Sequence, residues 1–313
     1  MARYKLVGLA VLLGAVSAVF LFWNLRGPVA YILNLRAEKL ITLLLVGAAS
    51  GAATVVFQTV ATNRLLTPGI VGFDALFVFV QTMLVLLLGG SGFLNLPTVP
   101  KFIIEAILLT LFAVTLFGLM FRKGSGDIIR MILTGVIVGT LLRALAGFAQ
   151  RLLDPSEFAV LQQATIASFN LIDEELLGVA SIALGGAFAC CLMIAGHLDV
   201  ASLGRNKART LGLNYDRFVL LALTIVSIMV AVSTALVGPV IFLGLLAASL
   251  AHVVMKDHRH IILIPAAATI GAVILVAGQT TFERIFALQS SLAIVVEFVG
   301  GLLFLALVLR RQK

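Results

Sequence analysis

Long apolar runs separated by short polar clusters dominate this chain, and within the runs apolar and polar positions do not alternate. A run of about 20 apolar residues suits a helix crossing the roughly 30 Å hydrocarbon core of a bilayer, because each residue advances about 1.5 Å. Strands of a membrane barrel would instead alternate with a period of two. Ten stretches are long enough, near 6 to 23, 40 to 60, 70 to 89, 102 to 121, 128 to 148, 176 to 196, 218 to 237, 239 to 255, 261 to 278 and 290 to 309. Residues 218 to 255 hold no Asp, Glu, Lys or Arg and exceed one span, and Gly238 and Pro239 predict the turn dividing them. Arg3 and Lys5 before an apolar run resemble a secretory signal, but the run continues through Phe20, Leu21, Phe22 and Trp23, past a signal core, so a retained first span is expected. The pattern predicts an all-α polytopic membrane protein, with residues 1 to 313 forming one transmembrane domain of about ten helices.

Composition sharpens this. Hydrophobic residues make up 61% and charged residues 12% of the chain, which excludes a soluble globule, a disordered chain, a disulfide scaffold and a nucleic-acid partner. The lipid bilayer is therefore an obligatory partner. The net charge is +8, yet the placement of the charges says more than their sum. With both termini on one side, Arg26, Arg36, Lys39, Lys101, Arg143, Arg151 and Arg284 fall on the other, and the remaining basic residues outnumber them about two to one. The positive-inside rule then predicts a multi-pass protein with both termini in the cytoplasm. Cys190 and Cys191 are adjacent in an apolar run and are expected to be buried packing residues.

The longest outer connection, 149 to 175, carries acidic residues around an apolar stretch from Phe158 to Phe169, which predicts a re-entrant or interfacial half-helix. The longest inner connection, 197 to 217, interleaves Ala201, Leu203, Ala208, Leu211 and Leu213 with basic residues and is broken at Gly204 and Gly212. Short amphipathic helices suited to docking a cytoplasmic partner follow from that pattern, with lipid headgroup contact as the alternative. Small residues recur as Gly47 and Gly51, Gly135 and Gly139, and Gly300 with Gly301, a spacing that allows close helix approach, chiefly within one subunit. Asp74, Glu105, Arg143 and Glu297 are the ionisable groups in or near spans. Glu297 is the deepest, either on a pathway or in an internal hydrogen bond.

Some chemistry is absent. No Lys follows Gly or precedes Ser or Thr, so the phosphate-cradling loop of ATPases is missing, and no enzymatic activity or cofactor is expected. His197, His252, His258 and His260 form no metal-ligand pair by spacing. His258 and His260 fall in KDHRH, expected to be a solvated inner turn.

Residues 33 to 76, LNLRAEKLITLLLVGAASGAATVVFQTVATNRLLTPGIVGFDAL, resemble the second-helix signature of the binding-protein-dependent ABC permeases that import iron siderophores, haem and vitamin B12. SLGRNKARTLGLNYDR resembles that family's LGE-x-A-x-x-LG cytoplasmic element, and GPVIFLGLLAASLAHVVMKDHRHIILIPAAATIGAVILV its G-x-I-x-F-x-GL…H…DHR…LP…GA run. The Asn63-Arg64-Leu65-Leu66-Thr67-Pro68 form is similar to the ferric catecholate siderophore branch, in which two different permease chains often pair.

The resemblance implies a ten-span permease half in a bacterial cytoplasmic membrane, two separate nucleotide-binding ATPase subunits, a periplasmic or lipid-anchored siderophore-binding protein, and a second permease chain, paralogue or self. It implies docking of the binding protein at Arg36, Lys39 and Arg284. It also implies ATPase coupling within 197 to 217 through Asp199, Ser202, Leu203, Gly204, Arg205, Ala208, Leu211 and Gly212. Ser125, Gly126 and Glu297 are weaker candidates for gate or pathway. Glu38 stands where the family has proline, and Arg205 where it has an acidic residue. Haem, cobalamin or another metal chelate is the alternative cargo. An ion-coupled secondary transporter and a membrane scaffold are the alternatives of other classes.

Overall fold

The computed structural model describes residues 2–25, 27–122, 128–169, 173–284 and 295–302. Those residues form helices and connections, with no strand among them. In chain order the helices are α1 (Ala2–Phe22), α2 (Val29–Val60), α3 (Phe73–Leu94), α4 (Thr98–Arg122), α5 (Ile128–Gln150), α6 (Pro155–Thr165), α7 (Glu174–Met193), α8 (Ala195–Ala201), α9 (Arg205–Thr210), α10 (Tyr215–Val237), α11 (Leu243–Met255) and α12 (His260–Arg284). Eight of them are long and apolar enough to cross a membrane: α1, α2, α3, α4, α5, α7, α10 and α12. The eighth and tenth predicted spans differ from these. α11 has 13 residues, about 20 Å of helix at 1.5 Å per residue, and 295–302 is helical within the last predicted stretch.

α2 starts at Val29, about three turns before the apolar window at 40 opens. Arg36, Glu38 and Lys39 interrupt the hydropathy but not the helix, and the polar ends of Arg36 and Lys39 find partners at the end of α1 and on α12. α2 is also the buried centre of the fold, packed against α12, α10, α11, α7 and α1. Its stretch Gly51–Gln58 is buried at every position.

In lipid, apolar area alone gives helices no reason to associate, so contact depends on how closely backbones approach. A Cβ built on Gly51 would lie 2.2 Å from the Ala267 carbonyl oxygen, one on Gly47 2.6 Å from Ala272 Cα, and one on Gly271 2.2 Å from the Gly47 oxygen. On the adjoining face a Gly244 Cβ would sit 2.0 Å from Thr54 Oγ1. Gly135 and Gly139 make a second close seam, with Val71 and Gly72 of the single 3-10 turn Pro68–Val71 that leads into α3. Gly300 faces Phe242, whereas nothing lies within 4 Å of a Cβ on Gly301.

The predicted half-helix of the outer connection is α6, started by a capping box between Asp154 and Glu157. It lies on α3, with Leu161 buried against Val85 and Phe93, and Glu157 beside Gly89, where α3 departs from helical geometry at φ 71° and ψ 167°. The predicted turn at Gly238 is present with φ 93°, a left-handed value that favours glycine. The non-helical backbone there is covered by 167–168: Ser168 N donates to the Val237 oxygen at 2.7 Å. Cys191 is buried with Sγ 3.6 Å from Met229 Sδ. Cys190, contrary to expectation, is exposed on the other face of α7, since adjacent helical residues point about 100° apart and only one can enter the packed side.

Enlarging the α2–α12 seam is expected to be costly. Gly51→Val or Gly271→Val should lower stability by about 1 to 3 kcal/mol or more through overpacking, read as thermal unfolding in detergent. Gly178→Ala, with nothing within 4 Å of the added Cβ, should change it by no more than about 0.5 kcal/mol. Equal melting of the two kinds of variant would contradict the seam.

Candidate functional site

At one end of the bundle the three basic residues singled out for docking come together, although two are neighbours in sequence and the third lies on α12. Arg36 is 8% exposed, and its Nη1 donates to the backbone oxygens of Leu21 at 2.6 Å and Trp23 at 3.0 Å. A guanidinium there satisfies the orphan carbonyls ending α1 and opposes the negative end of its dipole. Lys39 pairs with Glu283, which also accepts from Gln279 Nε2 at 2.7 Å. Arg284 and Glu283 both lie near enough to Arg36 for their charges to act on it. Arg284 Nε is buried and has no hydrogen-bond acceptor among the described residues. Among the described residues this end of the bundle therefore gathers Arg36, Lys39 and Arg284 around the shared carboxylate of Glu283, with Glu38 beside Lys39 on α2.

At the opposite end, α8 and α9 fold the inner connection into two short helices, as its pattern predicts. Gly204 at φ 93° and Gly212 at φ 88° make the turns bounding α9, and Ala208 is fully buried as its anchor. Leu203 and Leu211 are 51% and 64% exposed, so each turn presents an apolar side chain outward. Arg205 and Arg209 converge on Asp216 at 3.1 and 2.6 Å, tying α9 to the first turn of α10. Ser202 ends α8, its Oγ donating to the Asp199 oxygen at 2.7 Å.

Asp199 leads inward. Its Oδ1 accepts from His260 N at 2.9 Å and lies 2.6 Å from His260 Nδ1. His260 Nε2 lies 2.7 Å from Thr59 Oγ1, whose hydroxyl donates to the Val55 oxygen at 2.8 Å. Three elements are joined in one chain of bonds: α8, the start of α12 and the last turn of α2. This corrects the expectation that His260 is a solvated turn residue, since it is 4% exposed and opens α12. His258 is exposed as expected. The missed signal was Asp257, whose Oδ1 accepts from Arg259 N at 3.1 Å, a side-chain turn that marks a helix start. The Arg259 backbone N–H and guanidinium together hold the Asp257 carboxyl below the usual carboxylate range.

The ionisable residues of the spans also have definite surroundings. Arg143 and Glu297 both lie near enough to Asp74 for their charges to act on it. Beside Asp74 is a cavity of about 40 Å³ lined by Ser50, Thr54, Thr67, Ser233 and Thr234, room for a water or two. The Glu297 carboxylate accepts from the Ile241 backbone N–H, so it serves the non-helical link ahead of α11. Glu105 is 4% exposed and accepts from Gln81 Nε2 at 2.9 Å. Ser125 and Gly126 lie outside the described residues.

Comparison with known proteins agrees with this arrangement. A family model described as the FecCD transport family matches residues 6–310. The petrobactin import system permease protein YclO of Bacillus subtilis (strain 168) is 38% identical over 308 residues, 98% of this chain and 96% of the relative. The ferric enterobactin transport system permease protein FepD of Escherichia coli (strain K12) is 27% identical over 90% of this chain and 84% of the relative. Among solved structures, an inward-facing conformation of a metal-chelate type ABC transporter superposes with TM-score 0.83 at 21% identity, covering 98% of this chain and 99% of that one. The same helix order therefore extends over nearly the full length. The motifs around α2, the inner connection and α12 were not isolated likenesses: this chain belongs to the FecCD transport family, the multi-pass membrane permeases of bacterial importers.

Proposed function

We propose that this chain is the permease subunit of an ABC importer and forms, with a second permease chain, the path of a ferric siderophore across the cytoplasmic membrane. Two separate ATPase subunits drive it and a siderophore-binding protein delivers the cargo. The identity with a petrobactin permease over almost both full lengths supports the cargo. The lack of a phosphate-cradling loop ending in Gly-Lys-Ser or Gly-Lys-Thr supports separate ATPase subunits.

The observation that carries the mechanism is the bonded chain Asp199–His260–Thr59. Through it, a push on α8 and α9 from the ATPase side reaches α12 and α2 without passing through a flexible loop. α12 and α2 end, on the far side, at the patch of Arg36, Lys39 and Arg284. A two-state shift at one end can thus be felt at the other, which is what ATP-driven import requires. In this reading α8 and α9 face the cytoplasm with both termini, and the basic patch faces the binding protein. Arg36 holds the patch in place by fastening α1 to α2, while Lys39 and Arg284 meet acidic groups of the docked protein. Rim charges of this kind steer association more than they hold it. Arg143, exposed on α5 and within a span, needs water or a partner chain beside it, which supports a pathway along α5 between two permeases. Ser125 and Gly126 remain gate candidates, and Glu297 a wall residue.

Three outcomes are expected. In proteoliposomes holding the full complex, uptake should require ATP and binding protein and survive collapse of the proton gradient; uptake driven by the gradient without ATP would replace this reading with an ion-coupled carrier. Arg284→Glu should weaken binding-protein affinity about tenfold at low salt, and less at high salt, as rim electrostatics are screened. His260→Ala should leave the assembled complex hydrolysing ATP while cutting cargo imported per ATP about tenfold, because one charge-assisted link is lost. Gly204→Pro, with proline unable to adopt φ 93°, should do the same. An unchanged ratio of uptake to hydrolysis in both variants would remove the coupling role.

A further inference from the structure

The first half of α3, the outer ends of α4, α7 and α10, and the end of α6 with its following link line a pocket of about 310 Å³ that the transport reading does not use. Gln81 lines it and is 2% exposed. Its Nε2 donates to Glu105, and since a carboxylate only accepts, the amide nitrogen must face Glu105, leaving Oε1 as the remaining acceptor. That oxygen is buried without a hydrogen-bond partner among the described residues. One turn outward from Glu105 on the same wall, Lys101 Nζ stands 3.8 Å from Glu105 Oε1 and 3.8 Å above the Phe93 ring, contacts that leave its N–H donors available. Asp173 adds a second carboxylate, accepting from Thr98 Oγ1 at 3.1 Å and from Glu175 N at 3.2 Å.

Immediately inward, and sharing Phe102 with the pocket, an apolar groove of about 320 Å³ runs between α4, α7 and α10. The register is the same on all three helices. α4 passes from Thr98 in the pocket to Leu111 in the groove, α7 from Leu176 to Ala183, and α10, running the other way, from Ala235 to Ile228. Phe102 to Leu111 spans about 14 Å, close to half the hydrocarbon core. A polar chamber at the membrane boundary thus opens onto an apolar channel as long as one leaflet.

We propose that this pair of cavities binds a phospholipid with a primary-amine headgroup, of the phosphatidylethanolamine type. The ammonium donates to Gln81 Oε1 and Glu105, the phosphate meets Lys101, and one acyl chain lies in the groove against Ala106 and Ala183. Charge complementarity selects this occupant. A choline headgroup has the same net charge but no N–H to give Gln81, and a glycerol headgroup brings no cation of its own, leaving Lys101 to serve both the phosphate and Glu105 while Gln81 Oε1 gains no ammonium donor. Occupation would also relieve an unpaired amide oxygen at membrane depth, which is otherwise costly. Only the naming of the leaflet as outer rests on the orientation proposed above.

The test is native mass spectrometry of the full permease complex, titrated in mild detergent with phosphatidylethanolamine, phosphatidylcholine and phosphatidylglycerol of identical acyl chains. Phosphatidylethanolamine should be retained about tenfold more than either competitor, the difference expected for one or two buried charge-assisted hydrogen bonds. Gln81→Met should abolish that preference, and Ala183→Trp, which fills the groove from its surface, should lower retention of all three lipids. Equal retention of the three lipids by the unaltered complex, or a preference that survives Gln81→Met, overturns the proposal. Because the readout is lipid retention, neither result depends on whether the importer reading is right.

Discussion

The contact on which the rest of this molecule depends is the approach of α2 to α12, close enough that backbone touches backbone. Gly47, Gly51 and Gly271 lie where a side chain would overlap the facing main chain by more than an ångström of normal contact. In a bilayer such a seam is a principal source of cohesion, because moving an apolar side chain from lipid to protein changes its surroundings little. The seam places Lys39 opposite Glu283 at one end and Thr59 opposite His260 at the other. Both candidate functional regions are consequences of one packed pair of helices.

A second constraint shapes the periphery of that pair. Backbone that leaves the helix inside a membrane needs partners within the protein, and the chain leaves the helix twice near the same place, before α3 and between α10 and α11. Each break has a cover. Glu297 accepts from Ile241, Ser168 donates to Val237, and the 3-10 turn before α3 is gripped by Gly135 and Gly139 of α5. The polar groups near Asp74 gather where these breaks meet. That is a physical reason for carboxylates in a span that does not require them to carry protons.

The candidate site was partly visible in the residue pattern. Amphipathic spacing around Gly204 and Gly212 foretold α8 and α9, since both the alternation and the left-handed turns are local. Arg36, Lys39 and Arg284 were picked out through a family likeness, and the fold brings them together. What the pattern hid was their different circumstances: Arg36 is consumed by the carbonyls of α1, whereas Arg284 retains an unpaired Nε. His260 was misjudged because the four residues before it, Lys256 to Arg259, are all polar.

The chain alone determined the number and order of apolar segments, their helical character, the sidedness expected from its basic residues and its family. Lipid solvates each span separately, so these depend on composition within a window of about 20 residues. Only the tertiary structure decided which polar groups are buried and with whom. Asp199 meets His260 across 61 residues and His260 meets Thr59 across 201, pairings set by how the spans pack. No local window holds both partners of such a bond.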